Sequence, residues 1–273
     1  MTDWARHSAR VNGVSLSYYR SFGAKPTLVL AHGLTDDAGC WGKVADTLSE
    51  KFDVIAYDAR GHGLSDAPEH GYTPRDHSAD LIGLIRALEL DTPILVGHSM
   101  GAVTVAVTAA AEPALTSAIV LEDPPLPAKR NGDLSPEESL QAEEHWRRWR
   151  DDMAASRELS FAEWLERGRR AHPGWSSIEY ERWAESKQRV RLDVFDAGPL
   201  VLSGWHHSVT GIRARTLLVT GDPKLGALVQ HDAGTAWTQK LAQGTLVRIP
   251  NAGHSVHRDQ YEPFMEAVTN FLG

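Results

Sequence analysis

One stretch, from Pro93 to Ala111, constrains the fold of this chain more than any other. A short apolar run ending at Val96 is followed by Gly-His-Ser-Met-Gly, residues 97–101, and then by an alanine-rich segment. The apolar run is long enough for one buried strand, and the alanine-rich segment favours a helix. A strand that turns directly into a helix leaves room only for small residues beside the serine. The G-x-S-x-G pattern therefore predicts a nucleophile elbow that exposes Ser99 at the end of a strand.

Composition excludes several classes of protein. Of the 273 residues, 42% are hydrophobic and 23% are charged, which is typical of a globular domain. The net charge of -8 argues against nucleic acid or an anionic membrane surface as a partner. No stretch is long and apolar enough to span a membrane, and the first residues lack the apolar core of a signal peptide. The expected location is therefore the cytoplasm, and the expected partner is a small molecule.

Cysteine and histidine usage argues against a metal site. Cys40 is the only cysteine, so no internal disulfide or cysteine zinc site can form. None of the 13 histidines stands in a metal-ligand spacing such as H-E-x-x-H. We therefore expect neither a metal nor a cofactor.

The rest of the chain alternates apolar runs with helical segments. Residues 11–19 alternate apolar and polar side chains around Asn12-Gly13, which predicts a hairpin at a sheet edge. This order predicts an α/β fold with a mostly parallel, doubly wound sheet. Continuous apolar runs, as in strands covered on both faces, occur at Thr27–Ala31, Val54–Tyr57, Ala118–Leu121, Thr216–Thr220 and Leu246–Ile249.

The pattern changes between residues 126 and 210, where strands disappear and charge and tryptophan density rise. Ser-x-x-Glu capping boxes predict helix starts at Ser135, Ser160 and Ser176. We therefore expect a helical cap, residues 126–210, inserted after the sixth strand into a core formed by residues 1–125 and 211–273.

Six tryptophans fall in this predicted cap. Each one by itself favours packing between helices, but at least one of the set is expected to line a substrate pocket. We select Trp183, and His206 beside Trp205, as substrate contacts. The six are Trp146, Trp149, Trp164, Trp175, Trp183 and Trp205.

A serine hydroxyl is a poor nucleophile at neutral pH and requires a histidine base, which a carboxylate must orient. His254, in the glycine-containing loop after the last strand, is the candidate base, and His257 is its rival nearer the closing helix. Candidate acids follow two strands, Glu122 and Asp123 after one and Asp222 after the other.

An oxyanion hole is expected on the opposite side of the serine. The loop that begins at His32-Gly33 follows a central strand and, in this architecture, faces the nucleophile. The backbone N–H groups of Leu34 and Met100 are therefore the expected donors. Asp58, after the next strand, is interpreted as a structural residue.

These motifs together resemble those of the α/β-hydrolase superfamily. The matching segments are His32-Gly33, residues 58–63 (Asp-x-Arg-Gly-His-Gly), residues 97–101 and Ala252-Gly253-His254. They occur in the family's order and span nearly the whole chain apart from the cap. The resemblance implies the α/β-hydrolase fold, with Ser99 as nucleophile and His254 as base. One departure is that the family's usual acid position, in a G-[DE]-x-D pattern, holds Lys224.

The chain is also similar to N-formylmaleamate deformylase-like hydrolases. The shared segments are Asp-Pro-Pro at 123–125, Gly-His-Ser-Met-Gly-Ala at 97–102 and Asn-Ala-Gly-His at 251–254. Zearalenone-type lactone hydrolases resemble this layout in taking their acid from the strand before the cap. The resemblance implies Asp123 as the acid, with Asp222 second and Glu122 third.

The expected activity is cleavage of a largely apolar carboxylic ester or lactone through an acyl-enzyme intermediate. An amidase or N-formyl deformylase using the same residues is the runner-up. A non-catalytic receptor for a small ligand is the alternative from another class, because fold alone does not determine function. Epoxide opening is disfavoured, since family members with that activity carry an aspartate in place of Ser99. The oligomeric state stays open, with a homodimer as one alternative.

Overall fold

A mostly parallel β-sheet forms the centre of the molecule. The computed structural model describes residues 4–23, 25–126, 135–196, 198 and 204–273. Within these residues eight strands form one sheet, and β1 to β8 in chain order are Arg6–Val11, Val14–Arg20, Thr27–Ala31, Asp53–Tyr57, Ile94–His98, Ala118–Glu122, Arg215–Thr220 and Gly244–Arg248.

The strand order is β1-β2-β4-β3-β5-β6-β7-β8. The hairpin β1–β2 pairs antiparallel at one edge, and β2 is also antiparallel to β4. All other neighbours are parallel, so the carboxyl ends of β3 to β8 meet at one edge of the sheet. The prediction of a mostly parallel α/β sheet is confirmed.

Helices cover the sheet and fill the segment between β6 and β7. Helices α1 to α9 in chain order are Gly42–Leu48, Pro74–Ala87, Met100–Ala111, Pro136–Ala155, Phe161–Ala171, Ser177–Arg189, His231–Thr238, Val256–Asp259 and Tyr261–Leu272. The predicted capping boxes form at the starts of α4 and α5, where a serine and a glutamate cap each other. Thr73 and Asp76 form a further box at the start of α2.

The third predicted capping box is wrong. Ser176 precedes α6, but its side chain makes no capping hydrogen bond. Glu179 turns inward instead, is 5% exposed, and lies 3.5 Å from the Arg258 guanidinium. The buried Arg258 cation attracts the Glu179 carboxylate more strongly than an exposed backbone N–H at the helix start does, so the capping hydrogen bond does not form.

Hydrophobic cores lie on both faces of the sheet. Side chains alternate along a strand, so Leu28 and Leu30 belong to one core and Val29 to the other. The core that contains Val29 continues without a break into the segment between β6 and β7, where it includes Trp146 and Trp164. The α4–α6 region therefore packs on this face as part of one continuous core.

Helix α6 is fastened to the core by charged contacts. Lys187 Nζ lies 2.9 Å from Asp36 Oδ1, and Arg189 Nη1 lies 3.0 Å from Asp37 Oδ2. These pairs join α6 to the loop that follows β3. The division of the chain at residues 126 and 210 stays a prediction, and residues 127–134, 197 and 199–203 of that predicted cap lie outside the described residues.

Candidate active site

Ser99 occupies the turn between β5 and α3. Its backbone has φ 53° and ψ -114°, a conformation that costs free energy for a residue with a side chain. A Cβ atom at Gly97 would lie 2.3 Å from the carbonyl oxygen of Gly101, and one at Gly101 would lie 2.1 Å from that of Ala31. Both glycines are therefore required by close backbone approach, as the elbow interpretation predicted.

Asp123 follows the last residue of β6 and is fully buried. Its Oδ1 accepts from Thr220 Oγ1 at 2.7 Å, and its Oδ2 accepts from the Leu228 N–H at 2.8 Å. His254 Nδ1 lies 2.7 Å from the same Oδ2. A carboxylate satisfied in this way has one fixed orientation, and it holds the imidazole in turn.

The His254 ring is partly exposed at the cavity that Ser99 lines. Its side chain is 33% exposed, and its ring lies 4.6 Å from that of His98. Because a carboxylate only accepts, the Nδ1 of a neutral His254 carries the proton and Nε2 does not. His254 and Ser99 line the same cavity but are not hydrogen-bonded to each other within the described residues.

The rival residues have other partners. Asp222 accepts from the Lys224 N–H at 2.9 Å and caps the short 3-10 helix Pro223–Leu225. Glu122 is buried against His257, whose Nδ1 lies 2.8 Å from Glu122 Oε2. Neither pair reaches His254 Nδ1, so the geometry favours Asp123 as the orienting acid.

The loop after β3 holds the Gly33–Leu34 peptide in place. The Gly33 carbonyl accepts from the Asp36 N–H at 3.1 Å, and His32 Nδ1 lies 2.8 Å from the same oxygen. Burial lowers the pKa of His32 to about 4, so its ring is neutral. Its Nε2 accepts from the Ala59 N–H at 3.0 Å, which leaves the proton on Nδ1 and makes it a donor. This peptide carries the Leu34 N–H predicted for the oxyanion hole.

The second predicted donor lies at the start of α3. Met100 is the first residue of that helix, where N–H groups have no intrahelical acceptor. Within the part of the chain that the structure describes, neither the Leu34 nor the Met100 N–H has a hydrogen-bond partner. Both amides are available to an oxyanion at Ser99.

A cavity of about 340 Å³ lies above Ser99. Three of the six tryptophans line it, Trp149, Trp175 and Trp183, while Trp146, Trp164 and Trp205 are buried in packing. The ring of His172 stacks on Trp175 at 4.0 Å.

His206, the other selected contact, does not line this cavity. It belongs to the 3-10 segment Trp205–Gly211, which packs against α3. Trp205 Nε1 donates to the Pro125 carbonyl at 3.0 Å and fixes the start of that segment. The site interpretation of His206 therefore has no geometric support.

The cavity is more polar than the sequence indicated. Asp36, Lys187, Arg258 and Asp259 line it as well, and the two cations lie over tryptophan rings, Lys187 over Trp183 at 5.0 Å and Arg258 over Trp175 at 4.9 Å. Arg258 Nη2 lies 2.8 Å from Asp36 Oδ2. Burial by itself would raise the pKa of Asp36, but the Arg258 and Lys187 cations hold it well below its usual range. The cations are thus neutralised inside the protein, and sequence patterns gave no signal for this cluster.

A larger groove, of about 970 Å³, lies among β7, β8, α7 and α9. Neither Ser99 nor His254 lines it. Among the described residues no group of three or more His, Cys, Asp or Glu side chains is arranged to hold a metal ion. The same part of the chain contains no helix with the length and apolar character needed to cross a membrane.

The fold and this site define a class. Residues 28–267 match the Alpha/beta hydrolase family, and the chain belongs to that family. Strand order, elbow and carboxylate–histidine contact are all consistent with this membership.

Two named relatives are similar in sequence over part of their length. The chain is 42% identical over 104 residues to a 2-(acetamidomethylene)succinate hydrolase from Mesorhizobium japonicum, covering 38% of this chain and 37% of that protein. It is 42% identical over 118 residues to an N-formylmaleamate deformylase from Pseudomonas putida, covering 42% of this chain and 43% of that protein. The matched segments thus span about two fifths of these relatives.

Solved structures extend the likeness to nearly the whole chain. The crystal structure of E-2-(acetamidomethylene)succinate hydrolase matches with a TM-score of 0.81 and 25% identity, covering 98% of this chain and 99% of that one. An N-formylmaleamic acid deformylase from Pseudomonas putida S16 matches with a TM-score of 0.78 and 24% identity, covering 97% and 100%.

Proposed function

We propose that the protein is a serine hydrolase that cleaves a carboxylic ester or lactone through an acyl-enzyme intermediate. The observation that carries this proposal is the 2.7 Å contact between His254 Nδ1 and the buried Asp123 carboxylate, beside a cavity that Ser99 also lines. Family membership supports it, because the family's nucleophile elbow matches residues 97–101.

The proposed reaction assigns a role to each of these groups. Ser99 Oγ attacks the substrate carbonyl carbon while His254 Nε2 takes the hydroxyl proton. The oxyanion accepts hydrogen bonds from the Leu34 and Met100 N–H groups, each of which contributes about 3 kcal/mol to the transition state. Collapse of the tetrahedral species breaks the acyl bond, and the leaving group takes its proton from His254.

A water molecule completes the cycle. It attacks the acyl-enzyme carbonyl while His254 Nε2 accepts its proton, and the carboxylic acid product leaves with Ser99 regenerated. Asp123 holds the proper tautomer and stabilises the imidazolium in both halves of the reaction.

The cavity limits the substrate. A volume of about 340 Å³ is at the small end of ligand sites, so a small acyl group fits and a long chain does not. Trp149, Trp175 and Trp183 in the cavity wall suit an apolar portion of the substrate. The charged groups beside them suit a polar portion, so the substrate is expected to carry both.

A second candidate is cleavage of an amide or N-formyl group. The two relatives are named for 2-(acetamidomethylene)succinate and N-formylmaleamate, and N-acyl and N-formyl groups are amides. The same residues serve this chemistry, with His254 protonating a nitrogen leaving group.

The first test is a hydrolysis screen with Ser99→Ala as the control. The panel contains short-chain p-nitrophenyl esters, aryl esters, lactones, small amides and N-formyl compounds. Ser99→Ala is expected to lower turnover by roughly three powers of ten or more while the fold stays intact by circular dichroism, because the nucleophile is lost.

The outcomes separate the candidates. Serine-dependent turnover of esters or lactones supports the proposal, and turnover confined to amides promotes the second candidate. If nothing is turned over and a fluorophosphonate probe does not label Ser99, a ligand receptor replaces both. A Ser99→Ala protein with wild-type turnover excludes Ser99 as the nucleophile.

A further inference from the structure

A second carboxylate–histidine pair, Glu122 and His257, lies directly behind the candidate site. Glu122 is fully buried and His257 is 2% exposed. His257 Nδ1 lies 2.9 Å and 2.8 Å from the two carboxylate oxygens, and the His257 backbone N–H donates to Oε1 at 2.9 Å. The reaction described above has no step for this pair. Because burying an ionisable pair contributes little net free energy to folding, stability alone does not explain this pair, and a role in the site does.

Glu122 is connected to both the nucleophile and the base. Its backbone carbonyl accepts the Ser99 N–H at 2.9 Å, at the strained turn itself. Its side chain holds His257, three residues after His254, while the next residue, Asp123, holds His254. Glu122 and Asp123, at the end of β6, therefore bind His257 and His254, the two histidines of one short segment.

His98 closes the gap between these elements. Its ring lies 4.6 Å from the ring of His254 and 5.4 Å from that of His257. Its Nε2 lies 3.1 Å from the His254 carbonyl, and because a carbonyl only accepts, Nε2 carries the proton. Burial lowers the pKa of His98 to about 3, so this ring acts as a neutral donor that fixes the His254 backbone.

The His257 ring is held on its other side as well. It stacks on Trp41 with ring centres 4.6 Å apart and an angle of 26° between the planes. Burial lowers the pKa of His257 to about 3, so the ring is neutral and Nδ1 donates to Glu122 when the carboxyl group is ionised.

The charged and titratable groups that face Glu122 come from three elements. They are His98 on β5, His254 in the loop after β8, and His257 and Arg258 on α8. Burial raises the pKa of Glu122 to about 7, while interactions with His98, His254 and Arg258 oppose that rise.

We propose that Glu122 is a positioning residue for the chemistry at Ser99. Its side chain fixes the segment that carries His254 through His257, and its backbone carbonyl anchors the Ser99 N–H. This inference rests on the proposed serine hydrolase function, because it assigns Glu122 a part in the work of His254.

The test measures the rate at which a fluorophosphonate probe labels Ser99 across a range of pH. Glu122→Gln keeps the size of the side chain and removes its charge. The plateau labelling rate is expected to fall about tenfold or more, because the base is less well placed. The midpoint of the acid limb is expected to move down by about half a pH unit or more, because the Glu122 carboxyl, with its pKa of about 7, holds His257 less firmly once it is protonated, and glutamine does not titrate.

Asp53→Asn provides a matched control. Asp53 is 2% exposed, pairs with Arg20 at 2.6 Å, and begins β4 at the opposite end of the sheet from the site. Its loss is expected to lower stability without moving the midpoint. If Glu122→Gln does not fold, His257→Phe takes its place, since it keeps a ring against Trp41 and frees the carboxylate; a tenfold lower plateau rate is again expected.

The outcomes are distinct. A Glu122→Gln protein with the wild-type rate and midpoint overturns the inference, as does a fall in rate that Asp53→Asn matches with no shift in midpoint. A folded His257→Phe with the wild-type rate overturns it too. Wild-type protein that the probe does not label overturns the proposed function first, and the inference with it.

Discussion

Asp123 shows how much of the site depends on a single residue. Its backbone has φ 40°, in the left-handed region that aspartate tolerates better than most residues with a side chain. The Val229 N–H, at 3.2 Å, adds to the donors from Thr220 and Leu228 that fix the carboxylate. An aspartate at this position therefore provides both the turn and the acceptor that His254 needs.

The acid assignment is testable by two asparagine variants. Asp123→Asn is expected to lower turnover by about three powers of ten or more, because an amide nitrogen facing Nδ1 favours the wrong histidine tautomer. Asp222→Asn is expected to change the rate by less than about threefold, because asparagine caps a turn as aspartate does. Steady-state rates on the best substrate of the screen provide the measurement. A severe Asp222→Asn together with a mild Asp123→Asn would transfer the role to the strand that the family more often uses.

At the scale of elements, the site exists because parallel strands end at one edge of the sheet. β5 delivers Ser99, β6 delivers Glu122 and Asp123, and the loop after β8 delivers His254. The elbow requires that α3 approach β3 so closely that no side chain fits between them at Gly101. The contact between these two backbones thus fixes the position of Ser99 at the end of β5.

A pair of glycine variants tests this close approach. Gly101→Ala is expected to lower the free energy of unfolding by about 3 kcal/mol or more, since the methyl group would overlap the Ala31 carbonyl. Gly42→Ala is the control, because nothing lies within 4 Å of its added Cβ and its φ of -44° suits alanine. It is expected to be neutral or stabilising by up to about 1 kcal/mol. Urea unfolding measures both, and equal effects would contradict the steric account.

At the scale of the whole molecule, the interior contains an unusual set of neutral histidines. Burial lowers the pKa of His32 and His62 to about 4 and that of His98 and His257 to about 3. The pKa of His77 is also well below its ordinary value for the same reason. Stability of the folded chain is thereby linked to pH.

The free energy of unfolding is expected to fall as pH is lowered from about 6.5 to about 4. In this window the unfolded chain protonates these histidines and the folded chain does not, which costs about 1.4 kcal/mol per pH unit for each group. Glu122 and Asp37 act in the opposite direction, because burial raises their pKa values to about 7 and about 6. Burial raises the pKa of Asp58 as well, so these carboxyls offset part of the histidine contribution. Urea unfolding at a series of pH values measures the slope. His77→Leu is expected to reduce this slope by the contribution of one proton, about 1.4 kcal/mol per pH unit. A profile that does not change with pH would contradict the linkage.

The sequence by itself determined the sheet and the sharp turn at Ser99, and it selected Ser99 and His254, which line one cavity. These features depend on local patterns, namely apolar runs, glycines beside a serine, and a glycine-containing loop after the last strand. Strands β3 to β7 therefore lie within two residues of their predicted bounds, and two of three predicted capping boxes in the α4–α6 region form.

Only the tertiary structure decided which groups meet across the molecule. It brought Asp123 rather than Asp222 to His254, paired Glu122 with His257, drew Glu179 away from its helix start, and set Asp36 between Lys187 and Arg258. The two partners in each of these contacts lie between 79 and 222 residues apart in the sequence. Asp222, by contrast, accepts from the N–H of Lys224 in its own turn. The physical reason is that a buried carboxylate pairs with the nearest cation or donor that the fold brings to it. Packing between segments far apart in the sequence decides which group that is, and local sequence patterns do not contain this information.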